Sequence, residues 1–294
     1  MRDTLTRREL LALSLAGIGP LALACRSESA VTSQAQSRAW GVQLYTVRDQ
    51  VRSDPATTLK AIADIGYKEL EILQATLPTV APLAKKLGLT MVSAHLDAAT
   101  IAGTGLAEFV AQAKDHGLRY IVIPYVAPEK RPKDRAGYEA LAGQFNRVAD
   151  VVNKAGLQTC YHNHAFEFGR DSDGTRWLDV LMRATEPSRI KLELDVFWVA
   201  VTGTNPLEVI KQYSGRIALM HLKDRNAKTE KTLVETVPHD SFVEVGSGAL
   251  QFPAILTAAR AAGVEHFFVE QDYTPGDPIA SLKKSYGYLA NLKT

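Results

Sequence analysis

From Ala39 onward, short apolar runs alternate with longer stretches whose apolar positions recur every three or four residues. The short runs predict strands and the longer ones amphipathic helices. The predicted strands are Trp40–Leu44, Glu69–Ile72, Thr90–His95, Tyr120–Ile123, Gln158–His162, Ile190–Asp195, Ile217–Leu222 and His266–Glu270. The helices between and after them are placed at Pro55–Ile65, Val80–Leu87, Leu106–His116, Arg135–Ala155, Trp177–Ala184, Pro206–Tyr213, Phe252–Ala262 and Pro278–Leu292. Glycine follows six of these helices (Gly66, Gly88, Gly117, Gly156, Gly215, Gly263), the expected stop before a parallel strand. Eight strand–helix units without a long linker predict one (β/α)8 TIM barrel over residues 39–294, of α/β class. An open dinucleotide-binding sheet lacks its main signal, because no G-x-G-x-x-G follows the first strand.

The residues before the barrel follow a different pattern. Arg7-Arg8 precede an apolar run from Leu10 to Ala24 that is too short to span a bilayer. Residues 1–24 resemble a twin-arginine-type signal peptide and residues 25–38 read as a polar tether. The expected location is therefore outside the cytoplasm, periplasmic or lipid-anchored at the bacterial cell envelope. Ala22-Leu23-Ala24 suits ordinary signal cleavage, and Leu21 to Cys25 resembles a lipoprotein box, so a lipid on Cys25 is the one expected link to a membrane. Cys25 and Cys160 are the sole cysteines, and Cys160 falls in a strand, which argues against a structural disulfide. The formal charge is +2 with both signs interleaved, so a nucleic-acid partner is not expected. A small neutral ligand fits better, and homo-oligomerisation is left open.

Barrel chemistry gathers at the carboxyl ends of the strands. Here those ends read Gln43-Leu44-Tyr45, Ser93-Ala94-His95, Tyr161-His162-Asn163-His164, Glu193-Leu194-Asp195, His221-Leu222-Lys223-Asp224 and Glu270-Gln271-Asp272. Apolar strands that finish in His, Asp or Glu imply a use for those groups, since unpaired buried charge is costly. Glu167, Asp195, His221 and Glu270, from strands five to eight, form a candidate metal set. Three carboxylates and one imidazole suit Mn2+ first, with Mg2+, Co2+ or Zn2+ as alternatives. A lone strand-end histidine is more often a hydrogen-bonded core residue; four such residues at consecutive strand ends weaken that explanation.

The segments Tyr161-His162-Asn163-His164-Ala165-Phe166-Glu167-Phe168, Glu193-Leu194-Asp195, His221-Leu222-Lys223-Asp224 and Val269-Glu270 resemble motifs of the xylose-isomerase-like barrel family, often labelled sugar phosphate isomerase/epimerase. The resemblance runs from about Trp40 to the end. It implies one divalent metal held by Glu, Asp, His and Glu from the last four strands, onto which Asp195, His221 and Glu270 map directly. In the family's sugar epimerases the strand-five Glu lies on the strand itself, near Tyr161 or His162. Either Glu167 reaches back, or His162 or His164 takes its place.

The resemblance implies a metal-dependent sugar isomerase or epimerase that removes a proton beside a carbonyl and passes through an enediolate. His164 is the candidate base, followed by His95, and Lys223 is placed to polarise a substrate oxygen. Gln43, Tyr45, His162, Asn163 and Trp198 are candidate substrate contacts. Loss of a β-substituent from the same enediolate would make the enzyme a lyase or hydratase, and the Tyr-His-Asn-His-x-x-Glu-Phe variant is similar to members acting on 3-keto glycosides. A carbohydrate-binding lipoprotein and a metal-dependent phosphodiesterase are the competing classes. Gly246-Ser247-Gly248 reads as a ligand-covering loop or a simple turn.

Overall fold

The computed structural model describes residues 39–292; the expected leader and tether lie outside the described residues. Eight parallel strands close on themselves: β1 (Gly41–Gln43), β2 (Glu69–Leu73), β3 (Thr90–His95), β4 (Tyr120–Ile123), β5 (Gln158–His162), β6 (Ile190–Asp195), β7 (Ile217–Leu222) and β8 (His266–Val269). Closure is by β1 against β8, with Gly41 opposite Phe268 and Val42 opposite Val269. Gly41 is required there: a Cβ would come 2.4 Å from the Phe268 ring.

Helices fall where the apolar period placed them, with ends shifted by a few residues, as at Leu77–Leu87. That helix ends in left-handed Gly88, φ 67°, whose amide reaches back to Ala84 and Lys85. Several short elements go beyond that pattern, two of them next to the strand ends that matter most. Leu44–Val47 coils immediately after β1, and Val196–Val201 becomes a helix because Asp195 caps it, its Oδ1 accepting from Phe197 N at 2.8 Å and Trp198 N at 3.1 Å. No helix among the described residues is long and apolar enough to cross a membrane.

Strand side chains alternate between the helical layer and the barrel axis. On β5, Tyr161 packs outward against Phe145, while Cys160 and His162 point inward. The axis is therefore two-tiered. Val92, Tyr120, Val122, Cys160, Leu219 and Phe268 fill its lower part. Above them lies a polar tier of Gln43, Glu71, Ser93, His95, His162, Glu193 and His221, all buried.

Candidate active site

Above the polar tier opens a cavity of about 810 Å3, with His95, His162, His164, Lys223, Glu270 and Asp272 among its walls. Asp195 ends β6, His221 lies one residue inside the end of β7, and Glu270 follows β8 directly. Their relevant atoms converge: His221 Nδ1 lies 2.9 Å from Glu270 Oε2 and 3.9 Å from Asp195 Oδ2, and His162 Nε2 lies 3.9 Å from Asp195 Oδ2. The group His162, Asp195, His221 and Glu270 offers one donor each, all within 4.8 Å of one another.

Glu167, expected as the strand-five ligand, is not in this group. Its Oε1 accepts from the Tyr161 hydroxyl and its Oε2 from His164 N at 2.9 Å, which ties it to the outward face of β5. Burial pushes its carboxyl up to about 8, against the opposing pull of the Tyr161 hydrogen bond. Glu167 therefore shapes the turn that carries His164, and the β5 member of the converging group is His162.

The arrangement fits a divalent cation. Asp195 Oδ2 is fully buried and lies 3.1 Å from Lys223 Nζ, close enough for an ion pair but without hydrogen-bond alignment. Lys223 also approaches Glu270 Oε2 at 2.8 Å and Asp272 Oδ1 at 2.5 Å. Burial alone would lower Lys223, but Asp195, Asp272 and Glu270 reverse this and keep it an ammonium. Burial would raise Glu270, yet Lys223 and His221 hold it well below the usual carboxylate range. Asp272 moves up to about 6 because burial outweighs the attraction of Lys223.

His164 lines the cavity, and its Nδ1 is buried without a hydrogen-bond partner among the described residues. Its ring lies 5.0 Å from those of His162 and Tyr125 and 5.3 Å from that of Trp198. Burial, reinforced by the Lys223 charge, drives its pKa well below the ordinary histidine value, so the ring is neutral with a free nitrogen. His95, in contrast, is engaged: its Nε2 sits 3.0 Å from Glu71 Oε2 and 2.9 Å from Glu193 Oε2. Burial opposes its charge, but Glu71 and Glu193 push it up to about 9.

The expected substrate contacts separate into two sets. Tyr45 and His162 line the cavity, Tyr45 with the Arg48 guanidinium 4.2 Å over its ring. Gln43 is committed to Glu71 and to Tyr45 N, and Asn163 cross-links to the Asp195 backbone. Trp198 packs between His164 and Phe242, with Lys223 Nζ 5.4 Å from its ring. Sequence reasoning passed over Glu71 and Tyr125 and left Glu193 without a role. A carboxylate within the apolar run Leu70-Glu71-Ile72 was the available signal for the first.

The loop carrying Gly246 and Gly248 wraps around Asp224. Its carboxylate accepts from the amides of Arg225 (2.8 Å), Gly246 (3.0 Å), Gly248 (2.8 Å) and Leu250 (3.2 Å). A Cβ on Gly248 would lie 2.4 Å from Asp224 Oδ1, so only glycine brings the loop this close.

A closed parallel barrel with its polar groups at the carboxyl ends of β5 to β8 defines the class, and the chain belongs to the xylose isomerase-like TIM barrel family, whose model matches residues 59–292. Among curated proteins it is similar to inosose dehydratase of Geobacillus thermodenitrificans, 28% identical over 162 residues that cover 52% of this chain and 53% of that protein. Inosose dehydratase of Lacticaseibacillus casei is 25% identical over 195 residues, covering 63% and 64%. The chain thus spans between half and two thirds of the length of these relatives. A solved sugar phosphate isomerase/epimerase from Parabacteroides distasonis superposes with a TM-score of 0.72 at 25% identity, covering 90% of this chain and 97% of that one.

Proposed function

We propose that the protein is a divalent-metal-dependent lyase that removes a proton beside the carbonyl of a keto-sugar or keto-cyclitol and releases a β-oxygen substituent. The observation that carries this reading is the pairing of one neutral, unpartnered imidazole, His164, with one ammonium, Lys223, on the wall of the same cavity. Environments that separate the charge states of neighbouring groups assign a base and a cationic partner. The dehydratase activity named for the curated relatives points the same way.

His162, Asp195, His221 and Glu270 would hold the cation. Two imidazoles and two carboxylates favour Mn2+, Co2+ or Zn2+ over Mg2+, a shift from the oxygen-rich set expected with Glu167. A bound cation supplies Lewis-acid polarisation of a carbonyl oxygen. The His164 imidazole takes the proton, the C–H electron pair becomes the new double bond, and the β C–O bond breaks. The proton on His164 then passes to the departing oxygen. Lys223, anchored by Asp272, offsets negative charge on the substrate oxygens. Epimerisation would need a second free base on the opposite face of the carbon, and His95, the other candidate, is bound between two carboxylates. The leader-like residues 1–24 support a site of action outside the cytoplasm.

The test uses the full chain loaded with Mn2+ in D2O, given ketoses, keto-cyclitols and 3-keto glycosides and followed by NMR. Appearance of an unsaturated ketone with release of water or alcohol supports the lyase. Deuterium exchange that yields only an epimer or an aldose overturns it in favour of the isomerase or epimerase.

A further inference from the structure

His162 and His221 each turn one ring nitrogen up to the mouth and the other down into the polar tier. Below, His221 Nε2 lies 2.5 Å from Glu71 Oε2, and His162 Nδ1 lies 3.1 Å from Glu193 Oε2. The orientation of Glu71 is fixed independently. Ser93 Oγ donates to its Oε1 at 2.6 Å and Gln43 Nε2 to its Oε2 at 2.7 Å, and Gln43 cannot flip because its Oε1 accepts from Tyr45 N. Glu193 Oε1 has no hydrogen-bond partner among the described residues, so His95 and His162 make the close approaches to this carboxylate through Oε2.

A carboxylate facing a ring nitrogen holds a hydrogen on that nitrogen, so His162, with a close carboxylate at Nδ1 alone, presents its Nε2 lone pair. His221, with Glu71 at Nε2 and Glu270 at Nδ1, frees its Nδ1 when a cation takes the place of that hydrogen. We propose that Glu71 and Glu193, joined through His95, are positioning residues that hold hydrogen on His221 Nε2 and His162 Nδ1, and so leave His221 Nδ1 and His162 Nε2 as the nitrogens that meet a cation at the mouth. This is the carboxylate–histidine–metal arrangement, in which the outer carboxylate fixes the tautomer of the ligand.

The same rings are candidates for a rival seat. His95, His162, Glu193 and His221 also bring donors within 4.8 Å of one another, using the downward nitrogens. A neutral imidazole has one lone pair, so His162 and His221 serve one seat or the other. The two buried carboxylates below hold a hydrogen on the downward nitrogen of each ring, which leaves the upward nitrogens for a cation.

The inference rests on the metal reading above, and its test separates the two. In the full chain with 15N-labelled histidines, long-range 1H–15N NMR without metal is expected to show His162 as the Nδ1–H tautomer. With diamagnetic Zn2+, His162 Nε2 and His221 Nδ1 should carry the metal while His221 keeps its Nε2–H. Glu193→Leu should mix the His162 tautomers and weaken Zn2+ and Mn2+ binding by about 10- to 100-fold in chelator competition. Glu193→Gln, whose amide oxygen still accepts from Nδ1–H, should recover most of both, with circular dichroism confirming that each variant is folded. An Nε2–H tautomer in the metal-free protein overturns the proposal, as does metal on the downward nitrogens. So does a Glu193→Leu protein unchanged in tautomer and affinity. Failure of the unaltered chain to bind any divalent ion overturns the metal reading, and with it the positioning role.

Discussion

The two halves of the barrel mouth are built differently. On the β1 to β3 side, the buried polar groups are mutually satisfied: Gln43 and Ser93 donate to Glu71, which also faces His95. On the β5 and β6 side, four buried atoms remain without hydrogen-bond partners among the described residues: His164 Nδ1, Glu193 Oε1, Asp195 Oδ2 and Trp198 Nε1. Buried polar atoms in folded proteins are normally paired, so orphans gathered in one place mark where a ligand completes the structure. In the proposed reading the paired half supports the site and the unpaired half is the working edge.

Substitutions on the working edge should therefore affect binding and turnover far more than folding. The largest expected effect is Asp195→Asn, which removes a charged donor and should lower Mn2+ affinity at least about 100-fold by titration calorimetry, more than loss of an outer-tier group. His164→Gln should follow, cutting kcat by about 10²- to 10⁴-fold, the range for a general base, with metal affinity unchanged. A parallel loss of metal affinity would make His164 a ligand instead.

Glu167→Gln probes the boundary between the two roles. It should leave metal affinity intact and cost about 1–3 kcal/mol in urea unfolding, because the glutamine has one acceptor oxygen for two donors, the Tyr161 hydroxyl and the His164 amide. The pH dependence has a definite sign. The folded pKa of about 8 lies above the ordinary carboxylate value, so the folded chain retains a proton that the unfolded chain releases. The resulting stabilisation is complete below the unfolded pKa and is lost as pH rises through about 8. The gap between the unaltered protein and Glu167→Gln should thus be widest near pH 5 and narrower at pH 9. Smallest of all, Tyr125→Ala at the exposed rim should change stability by no more than about 0.5 kcal/mol and act on KM alone.

The same contrast separates what could be read from the sequence. Asp195, His221 and Glu270 stood out because each is a charged residue at or near the end of an apolar strand, a local signal. Glu167 was misplaced because five residues beyond a strand the spacing does not say which way the chain turns. Strand parity was the better guide, since Tyr161 faces out and His162 must then face in. Glu71 went unnoticed for another reason: its meaning depends on His221, 150 positions away, and only closure of the barrel joins them. The helix at Val196–Val201 was hidden likewise, because Asp195 was read as a ligand and not also as the cap that starts it.

The Asp224 loop is closed by its own chain. In barrels of this shape the loops after the seventh and eighth strands commonly grip phosphate through backbone amides. Here four amides, three of them from the loop Gly246–Leu250, already enclose a carboxylate from their own chain. A tethered group competes at an effective concentration that a freely diffusing phosphate ester rarely reaches. The amides that such a loop would offer to an anion are already taken by a carboxylate of the same chain.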